Sequence, residues 1–373
     1  MHIAVVGKGL IGSAAARHLA GMGHRVTLIG PDEPETPATH AGVFASHYDE
    51  GRITRWLDAH PFWAEVSKAS IDRYAEVEAV SGVKVFSEVG AVLAGEEAGD
   101  FMARVSAVRD RLGILSDALR GEDLAARLPF FHFDDGYLAY HESSGSGHIS
   151  PRRMVAAQTI AAEKAGAVVI RAKVLGIDAG RIETEGGPVD ADEVLVAAGG
   201  YSDSLLRGSL GLKVMARTAA FFRLGPAEAA RLARMPSLVS ELPDGRDPYI
   251  LPPIRYPDGA TYLKIGGDPV DRELTGADAI SDWFRSGGNG EVAEGLRDHL
   301  RDRMPGLDYE ATHHVACVTT FTPDNLPKIA RLDDRLSVAT AGCGRGAKCS
   351  DELGRLGALC ALGYDSELAA HCA

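Results

Sequence analysis

Three glycines near the start of the chain have the spacing that a dinucleotide-binding turn requires. Gly7, Gly9 and Gly12 form a G-x-G-x-x-G pattern directly after the apolar, β-branched run HIAVV. The first glycine permits a tight turn, the second lets the backbone approach a pyrophosphate, and the third lets helix and strand pack closely. The N-terminus of the following helix then faces the phosphates with its partial positive charge. The pattern predicts a bound dinucleotide; the alternative is a glycine-rich turn that binds nothing.

A cysteine lies in the middle of a Thr-rich, strand-like segment in the C-terminal part of the chain. Cys317 stands in ACVTTFTPD, just ahead of the turn formed by Thr322, Pro323 and Asp324. Free cysteine packs like a small hydrophobic residue, so burial is one explanation for its position. Chemistry at the sulfur is the other explanation, and the cysteine alone does not decide between them.

Four basic residues occupy positions where a surface role is only one of two interpretations. Lys264 lies in the apolar run TYLKIGG, and lysine is rarely buried without a function. Arg52 and Arg55 lie in DEGRITR, and Lys348 follows a glycine-rich loop. A guanidinium fork together with an ammonium group is suited to bind a carboxylate. Surface ion pairs for the arginines and a solvated loop position for Lys348 are the alternatives.

The composition limits the classes of function that are open to the chain. Its 373 residues suit two domains rather than one hydrophobic core. A net charge of −13 argues against nucleic acid or an anionic membrane as partner. The cysteines crowd toward the C-terminus without the spacing of a disulfide framework or a Cys-x-x-Cys zinc site. No apolar run reaches the roughly 18 residues of a membrane span, and MHIAVVGKG shows no charged leader region, so we expect a cytoplasmic protein.

The segments around the glycine pattern predict a β-α-β unit. HIAVVG reads as a buried parallel strand, LIGSAAARHLAGMGH as a helix and RVTLIG as a second strand. An acidic residue that binds the ribose is expected at the end of the second strand, but Gly30 stands there. Asp32 is therefore our candidate for the ribose contact. Glu33, or a ribose held in another way, are the alternatives.

Later segments indicate FAD rather than NAD as the dinucleotide. Ser150 and Pro151 begin a predicted helix, and two strands follow at Val168–Ile170 and Val174–Ile177. A buried strand at Val194–Ala198 then runs into a Gly-Gly pair. Near the C-terminus, RLSVATAGCGRGAKCSDELG predicts a strand, a second glycine loop and a helix, which suits a site that closes over the ring end of a flavin. The predicted cofactor contacts in these segments are Val174, Gly199, Gly344, Gly346 and Lys348.

In motif order and over nearly its whole length, the chain resembles the D-amino-acid-oxidase superfamily of FAD-dependent oxidoreductases. The shared segments are the N-terminal glycine pattern, SHYDEGRITR, YLKIGGD, ACVTTFTPDNLP and AGCGRGAKCS. Within the superfamily, the likeness is to the branch of monomeric sarcosine oxidase and N-methyltryptophan oxidase. Together these motifs are far more specific than any one of them alone.

The resemblance implies roles for four residues around the flavin ring. Cys317 falls where that branch joins a cysteine sulfur to the 8α-methyl group, so covalently attached FAD is implied. Thr320 matches the segment beside the ring. Lys264 matches a lysine that activates O₂ over one face of the flavin, and Arg52 matches a nearby arginine. A fixed cation at these places would stabilise negative charge that develops on the reduced flavin or on O₂.

The same resemblance implies roles on the substrate side. Arg55 and Lys348 match a pair that binds the substrate carboxylate, and Tyr249 in DPYILPP matches an active-site tyrosine. Asp268 departs from the family, because sarcosine oxidases have a histidine at this place, four residues after the lysine. An acid there could pair with a cationic group of the substrate, help to deprotonate its amine, or turn away and cap the turn before Pro269. Sarcosine itself is therefore not the expected substrate.

These observations predict an α/β plus α+β protein in which two domains are interleaved. A doubly wound, Rossmann-like FAD-binding domain is expected from residues 1–83, 141–212 and 313–373. A substrate domain with a mixed sheet is expected from residues 84–140 and 213–312, where VKVFSEVGAVLAG and ARTAAFFRL suggest short strands. We expect a monomer or a small homo-oligomer.

The expected activity is that of an FAD-dependent amine oxidase. A secondary amine, either N-methyl or cyclic and amino-acid-like, would transfer a hydride to flavin N5; the resulting imine would hydrolyse, and O₂ would be reduced to H₂O₂. Two alternatives stay open: a flavin dehydrogenase that tailors a larger amine metabolite and uses another electron acceptor, and a non-catalytic flavoprotein subunit. No metal site is expected, because the neighbouring His313 and His314 lack further ligands in the sequence.

Overall fold

Strands and helices alternate along most of the chain in the computed structural model, which describes residues 1–178, 180–208 and 210–364. The strands are β1 (His2–Val6), β2 (Arg25–Ile29), β3 (Arg52–Thr54), β4 (Phe86–Ser87), β5 (Ala91–Glu96), β6 (Asp117–Arg120), β7 (Tyr137–Glu142), β8 (Gly147–Ile149), β9 (Val168–Ile170), β10 (Val174–Asp178), β11 (Arg181–Thr184), β12 (Val189–Asp190), β13 (Glu193–Val196), β14 (Lys213–Arg223), β15 (Ser237–Ser240), β16 (Tyr249–Arg255), β17 (Thr261–Gly266), β18 (Ala311–Phe321), β19 (Lys328–Asp333) and β20 (Leu336–Thr340). The helices are α1 (Leu10–Gly21), α2 (Pro61–Ile71), α3 (Tyr74–Ser81), α4 (Asp100–Leu112), α5 (Gly121–Arg127), α6 (Pro151–Lys164), α7 (Ser202–Leu205), α8 (Pro226–Arg231), α9 (Gly276–Ser286), α10 (Gly290–Arg303) and α11 (Gly346–Ala361).

The first sheet contains the predicted β-α-β unit. Its six strands lie in the order β19-β20-β13-β1-β2-β9. Neighbouring strands are parallel except for β19, which runs antiparallel to β20. Because the central strands are parallel, their carboxyl ends share one edge of the sheet, which is the edge where open α/β sheets bind ligands. The turn after β1 and the loop after β20 both lie at this edge.

The two faces of the first sheet are covered differently. Ile3 and Val5 pack in one core cluster with Leu19 of α1 and with residues of α2 and α11. Ala4 and Val6 point to the other face, where β10, β11 and β12 form a small antiparallel sheet. An antiparallel meander therefore stands where a doubly wound fold would place a second layer of helices. The segment RIETEGGPVD alternates with period two around a Gly-Gly turn, which favours hairpins over helix.

The second sheet is the mixed sheet predicted for the substrate domain. Its eight strands lie in the order β18-β14-β17-β16-β15-β5-β7-β6. Neighbours are antiparallel except for β15 and β5, which are parallel. On one face, Leu296 and Leu300 of α10 pack against Phe222, Leu263 and Ile265 in a single core cluster. Together, the two sheets confirm the predicted α/β plus α+β class.

Strand β18 belongs to the second sheet, although the sequence analysis assigns most of its residues to the FAD-binding segment. We predict that residues from 313 onward belong to the FAD-binding segment, but β18 pairs with β14 over its full length, from Ala311 opposite Arg223 to Phe321 opposite Lys213. The strand that carries Cys317 is thus an edge of the second sheet. Strand partners are set by backbone hydrogen bonds between distant segments, so the sequence pattern alone does not reveal them.

Local boundaries follow the sequence signals closely. Ser150 caps α6 as predicted, because its Oγ accepts a hydrogen bond of 3.1 Å from the backbone N–H of Arg153. Strand β10 begins at Val174 as predicted. The strand predicted at Val194–Ala198 lies slightly earlier, at Glu193–Val196, and the last two residues join the turn that follows.

The described parts of the chain contain neither a membrane-spanning helix nor a metal-binding cluster. None of the helices there combines the length and the apolar character of a membrane span. The same residues contain no group of three or more His, Cys, Asp or Glu side chains arranged to hold a metal ion. His313 instead stacks on the ring of Phe221, with the ring centroids 4.9 Å apart.

Candidate active site

The glycine turn after β1 has the shape that a dinucleotide requires. A Cβ atom on Gly7, whose φ is +114°, would lie 2.3 Å from the carbonyl oxygen of Ala197. A Cβ on Gly12 would lie 1.8 Å from the carbonyl oxygen of Gly7. Space opens in front of Gly9, where a Cβ would meet no atom within 4 Å, and no described side chain caps the helix that Gly9 begins. The turn therefore leaves backbone N–H groups free to bind phosphate, and its residues fit FAD.

The position of Gly30 explains why no acid ends the second strand. A Cβ there would lie 2.6 Å from the backbone nitrogen of Lys8, so the glycine turn itself occupies the space of a side chain. Asp32, our ribose candidate, lies two residues further on and pairs with Lys8 at 2.5 Å and with Arg171 at 3.3 Å. Glu33, the alternative, pairs with Arg152 at 2.6 Å. Both acids are thus engaged with cations, and the ribose contact stays a prediction.

The other predicted cofactor residues lie at the carboxyl edge of the first sheet or beside it. Gly199 follows β13 with φ of +56°, and its carbonyl accepts a hydrogen bond of 3.1 Å from Thr340 Oγ1. The carbonyl of Thr320 accepts 3.1 Å from the backbone N–H of Cys343, which ties β18 to the second glycine loop. Val174 packs beside this edge in the core cluster under the meander. Gly344, with φ of +79°, and Gly346, at the start of α11, complete the glycine loop.

Strand register places three predicted residues on one face of the second sheet. On β14, Phe221 lies opposite Lys264 of β17. Arg217, four residues before Phe221 on β14, lies opposite Cys317 of β18. Tyr249 lies opposite the residue two places after Lys264. Side chains alternate between faces with period two, so Lys264, Cys317 and Tyr249 all project from the same face.

Lys264 is buried in the middle of this face. Its side chain is 1% exposed, and its Nζ donates to Asp49 Oδ2 at 2.5 Å and to the Gly51 carbonyl at 3.0 Å. The rings of Tyr249 and Phe221 flank the ammonium group at 5.5 and 5.7 Å from their centroids. Burial, which disfavours the charged form, lowers the pKa of Lys264 from its ordinary value.

Arg52 joins Lys264 and Cys317 into one cluster. Its Nη2 lies 3.4 Å from the sulfur of Cys317, and its guanidinium forms an ion pair with Asp49. Cys317 is half-buried and forms no disulfide with any other cysteine that the structure describes. The indole Nε1 of Trp283 donates to the Cys317 carbonyl at 2.9 Å, which fixes the strand at this point. Cys317 is thus a partly exposed residue with a guanidinium beside its sulfur, unlike a cysteine in an apolar core.

Arg55 and Lys348 meet at a second cluster around one carboxylate. Asp58 is 1% exposed and accepts a hydrogen bond of 3.0 Å from Lys348 Nζ. Arg345 Nε lies 3.0 Å from Asp58 Oδ2, and Arg55 Nη2 lies 3.7 Å from it. The Nε of Arg55 is buried and has no hydrogen-bond partner among the described residues. A guanidinium with one buried, unused donor beside a buried ammonium is an arrangement suited to bind an anion.

A glutamate from the second sheet holds the turn that carries Arg55. Glu142, at the end of β7, accepts hydrogen bonds from the backbone N–H of Trp56 at 3.0 Å and of Leu57 at 3.1 Å. Burial raises the pKa of Glu142 to about 7, although these hydrogen bonds oppose the shift. The second sheet thereby positions the arginine at the end of β3.

Asp268 takes the third of the roles that we considered for it. Its Oδ2 accepts a hydrogen bond from the backbone N–H of Thr218 and its Oδ1 accepts one from Val270, both at 2.8 Å. It therefore caps the turn around Pro269, and backbone groups bind both carboxylate oxygens. This geometry gives no support to a role for Asp268 in deprotonating the substrate amine.

The predicted residues thus form two clusters, and the sequence reasoning missed the acids at their centres. We name the clusters after the roles that the resemblance implies. The flavin-side cluster contains Arg52, Tyr249, Lys264 and Cys317 around Asp49, and the carboxylate-side cluster contains Arg55 and Lys348 around Asp58, with Arg345. One signal was present in the sequence, because Asp49 lies three residues before Arg52 and Asp58 three residues after Arg55. Such spacing is also common in surface pairs.

Comparison with known proteins agrees with the resemblance. The family model described as FAD dependent oxidoreductase (DAO) matches residues 2–358. Monomeric sarcosine oxidase from Bacillus sp. (strain B-0618) is 26% identical over 370 residues, which cover 95% of this chain and 90% of that protein. Among solved structures, NikD, an unusual amino acid oxidase essential for nikkomycin biosynthesis, has a TM-score of 0.77 at 21% identity, and the match covers 98% of this chain and 94% of NikD.

Glycine oxidase from Geobacillus kaustophilus shares the fold in the same way. Its TM-score is 0.73 at 20% identity, and the match covers 98% of this chain and 95% of that one. These two structures support the fold, and the family match over nearly the whole chain identifies the cofactor class. The chain therefore belongs to the DAO family of FAD dependent oxidoreductases.

Proposed function

We propose that this protein is an FAD-dependent oxidase of small secondary amines that carry a carboxylate, either N-methyl or cyclic amino acids. One observation carries the proposal: the buried Arg55 Nε, without a described hydrogen-bond partner, lies in the same cluster as the buried Lys348. A carboxylate substrate supplies the acceptors that these cations lack. Strand β3, which directly precedes Arg55, begins with Arg52, and Arg52 contacts Cys317. A substrate whose carboxylate is bound at Arg55 would therefore have its amine close to the flavin-side cluster.

The cofactor supplies the redox chemistry and the chain supplies the binding. Bound FAD would supply the acceptor for a hydride from the carbon beside the amine nitrogen and the two electrons that reduce O₂ to H₂O₂, and water would hydrolyse the imine. Arg55 and Lys348 hold the carboxylate and thereby orient the C–H bond. Glu142 keeps the turn after β3 in place by binding the N–H groups of Trp56 and Leu57.

We propose that Cys317 attaches the flavin covalently. Cys317 is half-buried, and its sulfur lies 3.4 Å from Arg52 and projects from the same sheet face as Lys264. Thr320, three residues further along β18, is joined to the second glycine loop and supports a ring bound between strand and loop.

Lys264 is proposed to activate O₂. Electron transfer to O₂ first creates an anion, and a fixed ammonium group beside the ring stabilises it. The burial of Lys264 between two aromatic rings supports this role, because a buried lysine has few structural uses. Tyr249, one of these rings, lines the same space.

The relatives support small amino-acid-like substrates without identifying one. By name, they oxidise sarcosine or glycine, and NikD is an amino acid oxidase. Asp268 replaces the histidine of the sarcosine oxidase branch, so we propose a substrate other than sarcosine. We also propose a cytoplasmic protein that acts as a monomer or small homo-oligomer.

Steady-state assays of H₂O₂ release test the proposal. The purified yellow protein would be mixed with N-methyl amino acids and cyclic amino acids, and each substrate would be matched with the same amine lacking the carboxylate. We expect H₂O₂ only from carboxylated amines. Turnover that requires an artificial electron acceptor would favour a dehydrogenase, and a protein that no amine reduces would be a non-catalytic flavoprotein.

A further inference from the structure

Asp49 is a buried carboxylate on which the two cations of the flavin-side cluster converge. Its side chain belongs to a residue that is 6% exposed. Its Oδ2 accepts from Lys264 Nζ at 2.5 Å and pairs with the Arg52 guanidinium. The hydroxyl of Tyr256 donates to Oδ1 at 2.7 Å, and the backbone N–H of Glu50 donates to the same oxygen at 2.8 Å. Both oxygens are thus fully engaged.

This carboxylate opposes the two effects that would discharge Lys264. Burial and the nearby Arg52 guanidinium lower the pKa of the lysine to about 8. An opposite charge at 2.5 Å favours the ammonium form. Among the described residues, Asp49 is the one acid that forms an ion pair with Lys264. Without it, two buried cations would face each other in a medium where charges interact strongly.

We propose that Asp49 is the positioning residue that keeps Lys264 charged and fixed beside the flavin, and that limits the net charge of this cluster to one positive unit. The inference rests on the proposed role of Lys264 in the reaction with O₂. Neither the glycine motifs nor the family resemblance assigns a role to Asp49. The other titratable or charged groups around the pair are Arg52, Tyr249, Tyr256 and Cys317, and the proposed tether removes the last from titration.

The pH dependence of reoxidation tests the proposal in the wild-type holoprotein. With Asp49 in place, the rate constant for reaction of the reduced protein with O₂ should be constant below pH about 8 and fall as the pH rises through it. Asp49→Asn should move this fall to lower pH, with a loss of about tenfold for each pH unit above the new titration point, because the uncharged fraction of Lys264 grows in that proportion. A variant whose rate falls over the same pH range as that of the wild type would overturn the proposal.

The reduction potential of the bound flavin gives a second, independent readout. In Asp49→Asn, protonation of Lys264 would leave two positive charges at the ring, so the potential should exceed that of the wild type at acid pH. The two potentials should converge between the two titration points, where Lys264 of the variant, but not of the wild type, has lost its proton. In a Lys264→Met background, Asp49→Asn should raise the potential equally at every pH. A variant with the same potential as the wild type at all pH values would contradict the proposal.

Two matched variants separate charge from structure. Tyr256→Phe removes a hydrogen bond to Asp49 but keeps its charge, so the wild-type pH profile should persist. Asp49→Glu should restore the profile that Asp49→Asn loses. If Tyr256→Phe shifts the profile as Asp49→Asn does, the effect is structural and the proposal fails. If the wild type does not react with O₂ at all, the oxidase assignment fails, while the potentials still decide the role of Asp49.

Discussion

Lys348 donates a hydrogen bond of 3.0 Å from its Nζ to Oδ2 of Asp58, although the two residues are 290 positions apart in the chain. Arg345 and Arg55 approach the same carboxylate oxygen at 3.0 and 3.7 Å. Burial alone would raise the pKa of Asp58, but the three cations hold it well below its usual range. Asp58 therefore stays ionised and organises the cations, which outnumber it, and we propose that the remaining positive charge binds a substrate carboxylate.

Replacing Asp58 with asparagine should destabilise the protein and make its stability respond to anions. Removing one member of a buried ion pair costs about 3–5 kcal/mol, because it leaves uncompensated charge. In denaturant unfolding, acetate should restore more stability to Asp58→Asn than it adds to the wild type, since a bound carboxylate replaces the missing charge. Asp72→Asn, which breaks an exposed pair with Lys68, should cost at most about 1 kcal/mol. An Asp58→Asn protein as stable as the wild type would contradict this interpretation.

The covalent attachment of FAD can be read from the colour of the denatured protein. Acid precipitation of the wild type should leave the yellow colour in the pellet, whereas Cys317→Ser should release it into the supernatant. Cys343→Ser is the control, because this buried cysteine lies in the nearby glycine loop and should not alter the result. Complete release of flavin from the wild type would disprove the tether and leave the family assignment intact.

Glu142 should make the free energy of unfolding depend on pH. Burial raises its pKa from the ordinary 4.5 to about 7 in the folded protein. Such a group binds its proton more tightly in the folded state, so its stabilising contribution is complete below pH about 4.5 and is lost as the pH rises through about 7. Relative to Glu142→Gln, which has no proton to lose, the wild type should become less stable over this interval.

Urea unfolding at a series of pH values measures this difference. His47 and His148, whose pKa values burial lowers, titrate in both proteins and cancel in the comparison. Glu97→Gln, at an exposed glutamate paired with Arg120, should give a curve parallel to that of the wild type. A constant difference between wild type and Glu142→Gln across this interval would show that Glu142 has an ordinary pKa.

The sequence predicts those features of the fold that depend on residues close together in the chain. The glycine turn and the Ser150 cap were predictable, because each depends on a few neighbouring residues. The acids at the two cluster centres were not predicted, because their contacts depend on residues far apart in the chain. Asp49 meets Lys264 across 215 positions and Asp58 meets Lys348 across 290. Membership of β18 in the second sheet was missed for the same reason.

Lys264→Met should separate the two half-reactions. The methionine keeps the length of the side chain and removes its charge, so reoxidation of the reduced protein by O₂ should slow by orders of magnitude. Reduction by the amine should change much less, because it develops charge elsewhere on the ring. Stopped-flow absorbance measures both steps. If reduction were crippled and reoxidation untouched, Lys264 would be a ligand of the substrate.

We propose that the flavin oxidises a carboxylated amine held by Arg55 and Lys348. The decisive experiment is anaerobic stopped-flow reduction by N-methyl and cyclic amino acids. The visible flavin absorbance of the wild type should bleach with saturation kinetics. Arg55→Ala or Lys348→Ala should raise the half-saturation concentration by about one to two decades, because each loses a charge-assisted hydrogen bond worth roughly 1.5–3 kcal/mol. Arg301→Ala, at an exposed position on α10, should behave as the wild type. Flavin that no carboxylated amine bleaches, or saturation unchanged in both variants, would contradict the account.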